Sequence, residues 1–173
     1  MKSCTRYVLA LVFIALSAAS IQAQPDPSLK PTFGQAALKA GFLPDPHVKE
    51  LTAGGSNRTN LGGFQHYVAT APDYTLNYTA GQYGLTFAFK AVGDTTLLIR
   101  TPDGKFIGDD DSGEGLNPLL RIAKPQSGQY DIWVGTIGKN PERGTLYISE
   151  RKTIKEVSDP PPPAKGLPDC YII

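Results

Sequence analysis

Leu85-Thr86-Phe87-Ala88-Phe89-Lys90-Ala91 is the stretch that decides the fold class. Taken two residues at a time, Leu85, Phe87, Phe89 and Ala91 share one face, while Thr86 and Lys90 share the other. That alternation marks a strand with one buried side. Thr95 to Thr101 and Gln129 to Ile137 read the same way. Leu97 with Ile99, Leu120 with Ile122, and Leu146 with Ile148 repeat the pattern more briefly. Val48 to Leu51, Tyr67 to Ala69 and Leu76 to Thr79 are shorter candidates, and Phe33 to Ala40 reads as an edge strand in preference to one helical turn. Between the runs stand Gly54-Gly55, Gly62-Gly63, Ala80-Gly81, Gly93-Asp94, Pro102-Asp103-Gly104, Ser127-Gly128 and Arg143-Gly144. Each contains a residue that tolerates positive φ or presets a turn. Short strands and regular turns, with no amphipathic helix, predict an all-β chain: a single antiparallel β-sandwich.

Export is written at the N-terminus. Lys2 and Arg6 precede an almost unbroken apolar run from Tyr7 to Ala19, and Ser20 to Gln24 brings small residues with a cleavage point after Ala23. This is the three-part layout of a secretory signal peptide. The run is short for a hydrocarbon core of about 30 Å, which favours removal over retention as an anchor. Cys4 precedes the run instead of following it, so a lipoprotein signal does not fit. The expected organisation is a signal peptide over 1–23, a flexible lead-in over 24–32, the β domain over 33–150 and a proline-rich tail over 151–173. The destination is extracellular, or the periplasm and cell envelope.

About 150 residues remain after removal, enough for one domain with its own core. A net charge of +1 offers no basic surplus for nucleic acid. No later segment is apolar enough to span a membrane. Cys170 becomes the last cysteine, so an intrachain disulfide is excluded, and burial, with or without a bound ion, must supply the stability. Cys170 is then a free thiol or an intermolecular bridge. Pro160 to Pro163 cannot pair in a sheet.

Several motifs together resemble a known family. They are Gly41-Phe42-Leu43-Pro44-Asp45-Pro46-His47, Ala53-Gly54-Gly55, Ala71-Pro72-Asp73 and Asn77-Tyr78-Thr79-Ala80-Gly81, continuing through Asp94-Thr95-Thr96-Leu97 and Pro102-Asp103-Gly104. Asp109-Asp110-Asp111, Asn117-Pro118 and Gly128-Gln129-Tyr130-Asp131-Ile132-Trp133-Val134-Gly135 complete the set. From Pro31 to about Ile148 the chain resembles the pre-peptidase C-terminal domains, bacterial secreted modules found attached to peptidases such as collagenases or alone. The resemblance implies a jelly-roll-like sandwich, often calcium-binding, with an accessory role and no catalysis. It also implies a departure. Phe64 and Gly108 stand where relatives carry cysteines, so both halves of a bridge are missing together, as if packing had replaced it.

Gly108 to Gly115 is the stretch richest in possible chemistry. Three adjacent carboxylates repel by about 1 kcal/mol per pair at 4 Å even in water. If extended, Asp109 and Asp111 face the same side, about 7 Å apart at their backbones, and a hard cation would hold them. Calcium takes six to eight oxygens, so Asn117, Asp94, Asp103 and loop carbonyls are the further candidate ligands. The spacing is not that of an EF-hand, and a solvated acidic turn guarding a sheet edge reads equally from the residues.

Other motifs point less far. Asp111-Ser112-Gly113 superficially resembles a protease nucleophile, yet such a serine needs an oriented base. His47 reads as a turn residue and His66 as an ordinary histidine at a strand start, with no spaced cluster for zinc. Tyr74, Tyr78, Tyr83, Tyr130, Trp133 and Tyr147 include candidates for a binding platform. Tyr130 and Trp133 have opposite parity on one strand, and Trp133 is expected in the core. Cys170-Tyr171-Ile172-Ile173 has the outline of a prenylation box, which export disqualifies. Asn57-Arg58-Thr59 and Asn77-Tyr78-Thr79 match glycosylation acceptors. The expected function is a secreted non-catalytic binding module for an extracellular protein or polysaccharide. The alternative is a structural envelope or matrix component assembling through its tail, with a hydrolase last.

Overall fold

The computed structural model describes residues 24–151. Its strands are β1 (Gln35–Lys39), β2 (His47–Ala53), β3 (Asn57–Thr59), β4 (His66–Val68), β5 (Tyr74–Thr79) and β6 (Leu85–Ala91). They continue with β7 (Thr95–Arg100), β8 (Phe106–Asp109), β9 (Leu119–Ile122), β10 (Gly128–Thr136) and β11 (Glu142–Ser149). A single 3-10 turn, Leu61–Gly63, separates β3 from β4. The three best strands of the sequence are β6, β7 and β10, and the edge strand expected over Phe33 to Ala40 is β1.

Two sheets form a β-sandwich. One has four strands in the order β2-β11-β6-β9, all antiparallel. The other is built around β10, which pairs with β5 and β4 and, on its opposite edge, with β7. β1 extends this sheet beyond β5, β3 beyond β4 and β8 beyond β7. The β1–β5 pairing is parallel, Gln35 opposite Thr75 through Lys39 opposite Thr79. Both sheets are therefore held together by the last two strands.

The inner faces meet in one core. Leu85, Phe87 and Phe89 of β6, Leu97 and Ile99 of β7, Tyr130, Ile132 and Val134 of β10, and Leu146 and Ile148 of β11 are all buried in it. Each such aliphatic or aromatic side chain contributes about 1.5–3 kcal/mol through burial. Trp133 is also fully buried, but on the opposite face of β10. It joins Val68 and Leu98 in a second, smaller core, with Leu61 and Phe106 closing its edge. Parity along β10 thus serves two cores, Tyr130 in one and Trp133 in the other.

Two expectations need correction. β6 is not buried on one face only, because Thr86 and Ala88 are buried as well. The Thr86 hydroxyl donates to the Arg151 carbonyl and accepts from Arg121 Nη1, so two arginines roof that side. Residues 113–118 fold over the neighbouring part, against Ala88 and Tyr147. Nor is 24–32 a loose lead-in. Pro25 is buried, Asp26 N donates to the Thr70 carbonyl at 2.8 Å, and Thr32 N donates to the Pro72 carbonyl at 2.9 Å. The signal peptide over 1–23, the tail after Arg151 and Cys170 lie outside the described residues. No helix among the described residues is long and apolar enough to cross a membrane.

Candidate functional site

The acidic stretch carries the chain from one sheet to the other. β8 ends the first sheet at Asp109, β9 begins at an edge of the second with Leu119, and residues 110–118 bridge them. Asp109 closes this crossover. Its Oδ2 accepts from Leu119 N at 2.8 Å and from Ser112 N at 3.1 Å, and its Oδ1 accepts from Ser112 Oγ at 2.6 Å. Asn117 is a second clamp, across the turn by which the chain passes from β6 in the second sheet to β7 in the first. Its Oδ1 accepts from Ala91 N at 3.0 Å and Thr95 Oγ1 at 3.1 Å, and its Nδ2 donates to the Ala91 and Glu114 carbonyls.

The five candidate calcium ligands do not gather. Asp94 and Asp103 flank opposite ends of β7, whose six residues at about 3.3 Å each separate them by roughly 20 Å. Asp103 is bound instead to Lys105 Nζ at 2.7 Å and Thr101 Oγ1 at 2.5 Å. Those partners hold its carboxyl down at about 2. Asp109 spends its oxygens on Ser112 and the Leu119 amide, and Asn117 Oδ1 on the Ala91 amide and the Thr95 hydroxyl. Asp109 ends a strand and Asp111 sits in a bend, so the extended pairing expected of these two does not form. Asp94 keeps one buried oxygen, Oδ1, without a partner. Its carboxyl is held above the ordinary range by burial first, then by the charges of Asp111 and Asp110. Among the described residues no three His, Cys, Asp or Glu side chains gather in a way that would hold a metal. The donor set does not fit a shared calcium ion.

Ser112 Oγ donates to the Asp109 carboxylate, while the ring nitrogens of His47 and His66 that have partners meet Tyr74 and Thr96. His66 is fully buried, its Nδ1 2.8 Å from Thr96 Oγ1 and its ring 4.7 Å from that of Phe64. Burial drives its pKa down to about 4, against smaller opposing effects of the Leu61 backbone and the Asp110 charge. His47 opens β2, with its Nε2 2.9 Å from the Tyr74 hydroxyl. Asn57 is buried and donates to Thr70 Oγ1 at 2.7 Å, which removes it as a glycosylation acceptor in the folded chain; Asn77 is exposed.

The aromatic platform lies elsewhere than expected. Tyr74, Tyr78, Tyr130 and Trp133 are buried, which leaves Tyr83 exposed and Tyr147 half-buried. A different tyrosine, Tyr67 of β4, lines an open cleft of about 500 Å³ with Gly55, Ser56, Lys139 and Pro141. Glycines shape it. A Cβ on Gly55 would sit 2.1 Å from the Val68 carbonyl carbon, so only glycine lets the corner between β2 and β3 lie on the β4 backbone. A Cβ on Gly135 would come 2.8 Å from the Tyr67 carbonyl oxygen, so β10 approaches from the other side on the same terms. The cleft wall is mostly apolar, with one ammonium group from Lys139, and the exposed Ile137 stands just before it in the chain.

Several solved structures are similar to this chain. The chain is similar to a pre-peptidase C-terminal domain. That domain belongs to a collagenase from Bacillus anthracis, matching with a TM-score of 0.45 and 11% identity over 70% of this chain and 99% of that one. The chain is also similar to PliG of Aeromonas hydrophila, a periplasmic inhibitor of g-type lysozyme. Here the TM-score is 0.31 and the identity 16%, over 67% of this chain and 96% of that one. No family model and no curated protein matches the sequence.

Proposed function

We propose that the protein is an exported, non-catalytic module that binds an extracellular protein through the Tyr67–Lys139 cleft. The observation that carries this reading is the cleft itself: an aromatic ring and an apolar wall beside one cation, on a corner of packed glycines. A mostly apolar wall suits an apolar side chain of a protein partner, with Lys139 placed to meet a carboxylate next to it. A polysaccharide would also stack on a tyrosine, but it needs a ring of hydrogen-bonding groups that this wall supplies sparingly. Calcium is not part of the reading. His47 and His66 bond to Tyr74 and Thr96 and not to Ser112, which supports a module without serine-hydrolase chemistry.

The test is binding of the mature chain, residues 24–173, to the protein and the polysaccharide fractions of the surrounding medium. Tyr67→Ala and Lys139→Glu are each expected to weaken binding to the protein fraction at least tenfold, and Tyr83→Ala to leave it unchanged. Binding that is indifferent to both cleft variants would overturn the proposal. Retention on polysaccharide alone would replace the partner class. Stoichiometric labelling of Ser112 by a fluorophosphonate would overturn the non-catalytic part.

A further inference from the structure

The last described residue shows where the chain is heading. Arg151 leaves the end of β11, and its carbonyl accepts from Thr86 Oγ1 of β6 at 2.6 Å and from Arg121 Nη1 of β9 at 2.8 Å. Thr86 and Arg121 are cross-strand partners, so the backbone crosses the outer face of the second sheet from β11 toward its edge strand, β9. The Arg151 side chain reaches back, with Nη2 donating to the Asp45 carbonyl at 2.9 Å. The exit is therefore tied on both sides and has a direction.

Round that edge, the seam between the two sheets is open. β8 and β9 are both edge strands, and between them lies a cleft of about 200 Å³. Its apolar walls are Pro102, Ile107, Ile122 and Tyr130, and Lys105 and Lys124 stand beside them. Ile107 and Ile122 belong to the main core yet remain partly exposed, so the seam leaves apolar surface uncovered. Lys105 is paired with Asp103, whereas Lys124 is exposed and makes no ion pair among the described residues.

We propose that the chain's own segment Asp169 to Ile173 occupies this cleft, with Tyr171 and the two isoleucines on Ile107, Ile122 and Pro102 and with Asp169 beside Lys124. Two observations choose this occupant. The 22 residues after Arg151 begin where its carbonyl accepts from Arg121 of β9, the strand that borders the cleft, and, fully extended, they could span about 70 Å, against sheets only about 10 Å apart. Within them, Asp169-Cys170-Tyr171-Ile172-Ile173 combines an acidic group with an apolar cluster, matching a cationic group beside an apolar wall.

Cys170 makes the test direct, since it is the single cysteine of residues 24–173. A nitroxide on Cys170 is expected to weaken the amide signals of Ile107, Ile122 and Lys124 several-fold beyond those of Val92 and Ile137 at the far end. Lys124→Glu and Ile107→Glu should each reverse most of that effect, which a loose tail tethered near β9 would not show. Broadening that is uniform, centred elsewhere or insensitive to both variants would overturn the proposal. So would broadening in isotope-labelled Cys170→Ser protein mixed with nitroxide-bearing copies, because that places the segment of a second molecule in the cleft.

Discussion

The ring of Phe64 lies against bare backbone at Gly108: a Cβ on that glycine would sit 2.9 Å from Phe64 Cε1 and 2.8 Å from the Gly62 Cα. Gly62, at a φ of +86°, completes the contact from the 3-10 turn. The two positions at which the family resemblance implies cysteines are thus in contact, an aromatic ring against a glycine. Gly108→Ala must push the ring or the turn aside and is expected to cost about 1–3 kcal/mol, as overpacking does. Urea unfolding of the variant beside the parent checks it, with an unchanged midpoint as the contrary result.

The Asp109 carboxylate ties the beginning and the end of the sheet-to-sheet crossover through Ser112 and Leu119. Asp109→Ala strands those backbone donors and is expected to destabilise by about 1–3 kcal/mol. Asp111→Ala, on an exposed neighbour, should stay within about 0.5 kcal/mol. If instead the two variants lose stability equally, repulsion or a shared ligand governs the loop and the clamp does not.

Stability should depend on pH in two opposite senses. Burial raises the Asp73 carboxyl to about 8, although Val134 N donates to it at 2.7 Å. The folded state therefore holds a proton that the unfolded state releases near 4, and stability falls as pH rises toward 8. His66, lowered to about 4, works the other way, and its contribution is lost as pH falls from 6.5 to 4. Below 6.5 the two oppose each other, while from 6.5 to 8 the Asp73 effect stands alone of the pair. There it reaches a slope of at most about 1.4 kcal/mol per pH unit. Asp73→Asn keeps an acceptor for Val134 N and should flatten stability over that interval in urea titrations at several pH values. A slope equal to the parent's would refute the assignment.

Melting temperatures in excess calcium and in chelator should agree within error, since Asp94 and Asp103 cannot reach one ion and Asp109 and Asn117 are already bonded. A clear rise with calcium would mean that the acidic crossover rearranges to bind it.

Much of the fold was legible along the chain because alternation and turn residues act locally. β6 matches its sequence reading from Leu85 to Ala91, and Trp133 is buried as expected. What alternation could not reveal is the cover on Thr86 and Ala88, because Arg121, Arg151 and residues 113–118 come from elsewhere in the sequence. β3 and β8 escaped notice for a related reason. Asn57-Arg58-Thr59 and Phe106-Ile107-Gly108-Asp109 have little pattern of their own and become strands by pairing with β4 and β7. At the candidate site, an aspartate and an asparagine in a glycine-rich turn look alike whether they bind a cation or cap a backbone. Only the position of the amide groups separates the two. The Tyr67 cleft draws on residues 55–56, 67 and 139–141, three stretches that no local pattern connects.

The central strand of each sheet, β10 and β11, comes from the last part of the described chain, and this sets a timetable for folding. Until residues 128–149 are available, β1 with β5, β3 with β4, and β7 with β8 are separate fragments, and β2 has nothing to join. Pairings such as Tyr78 with Gly128 must then close loops of some fifty residues, and such non-local closure is slow. A chain assembled in this order becomes a solid body only once β10 and β11, the last strand of the first sheet and the last of the second, are both available.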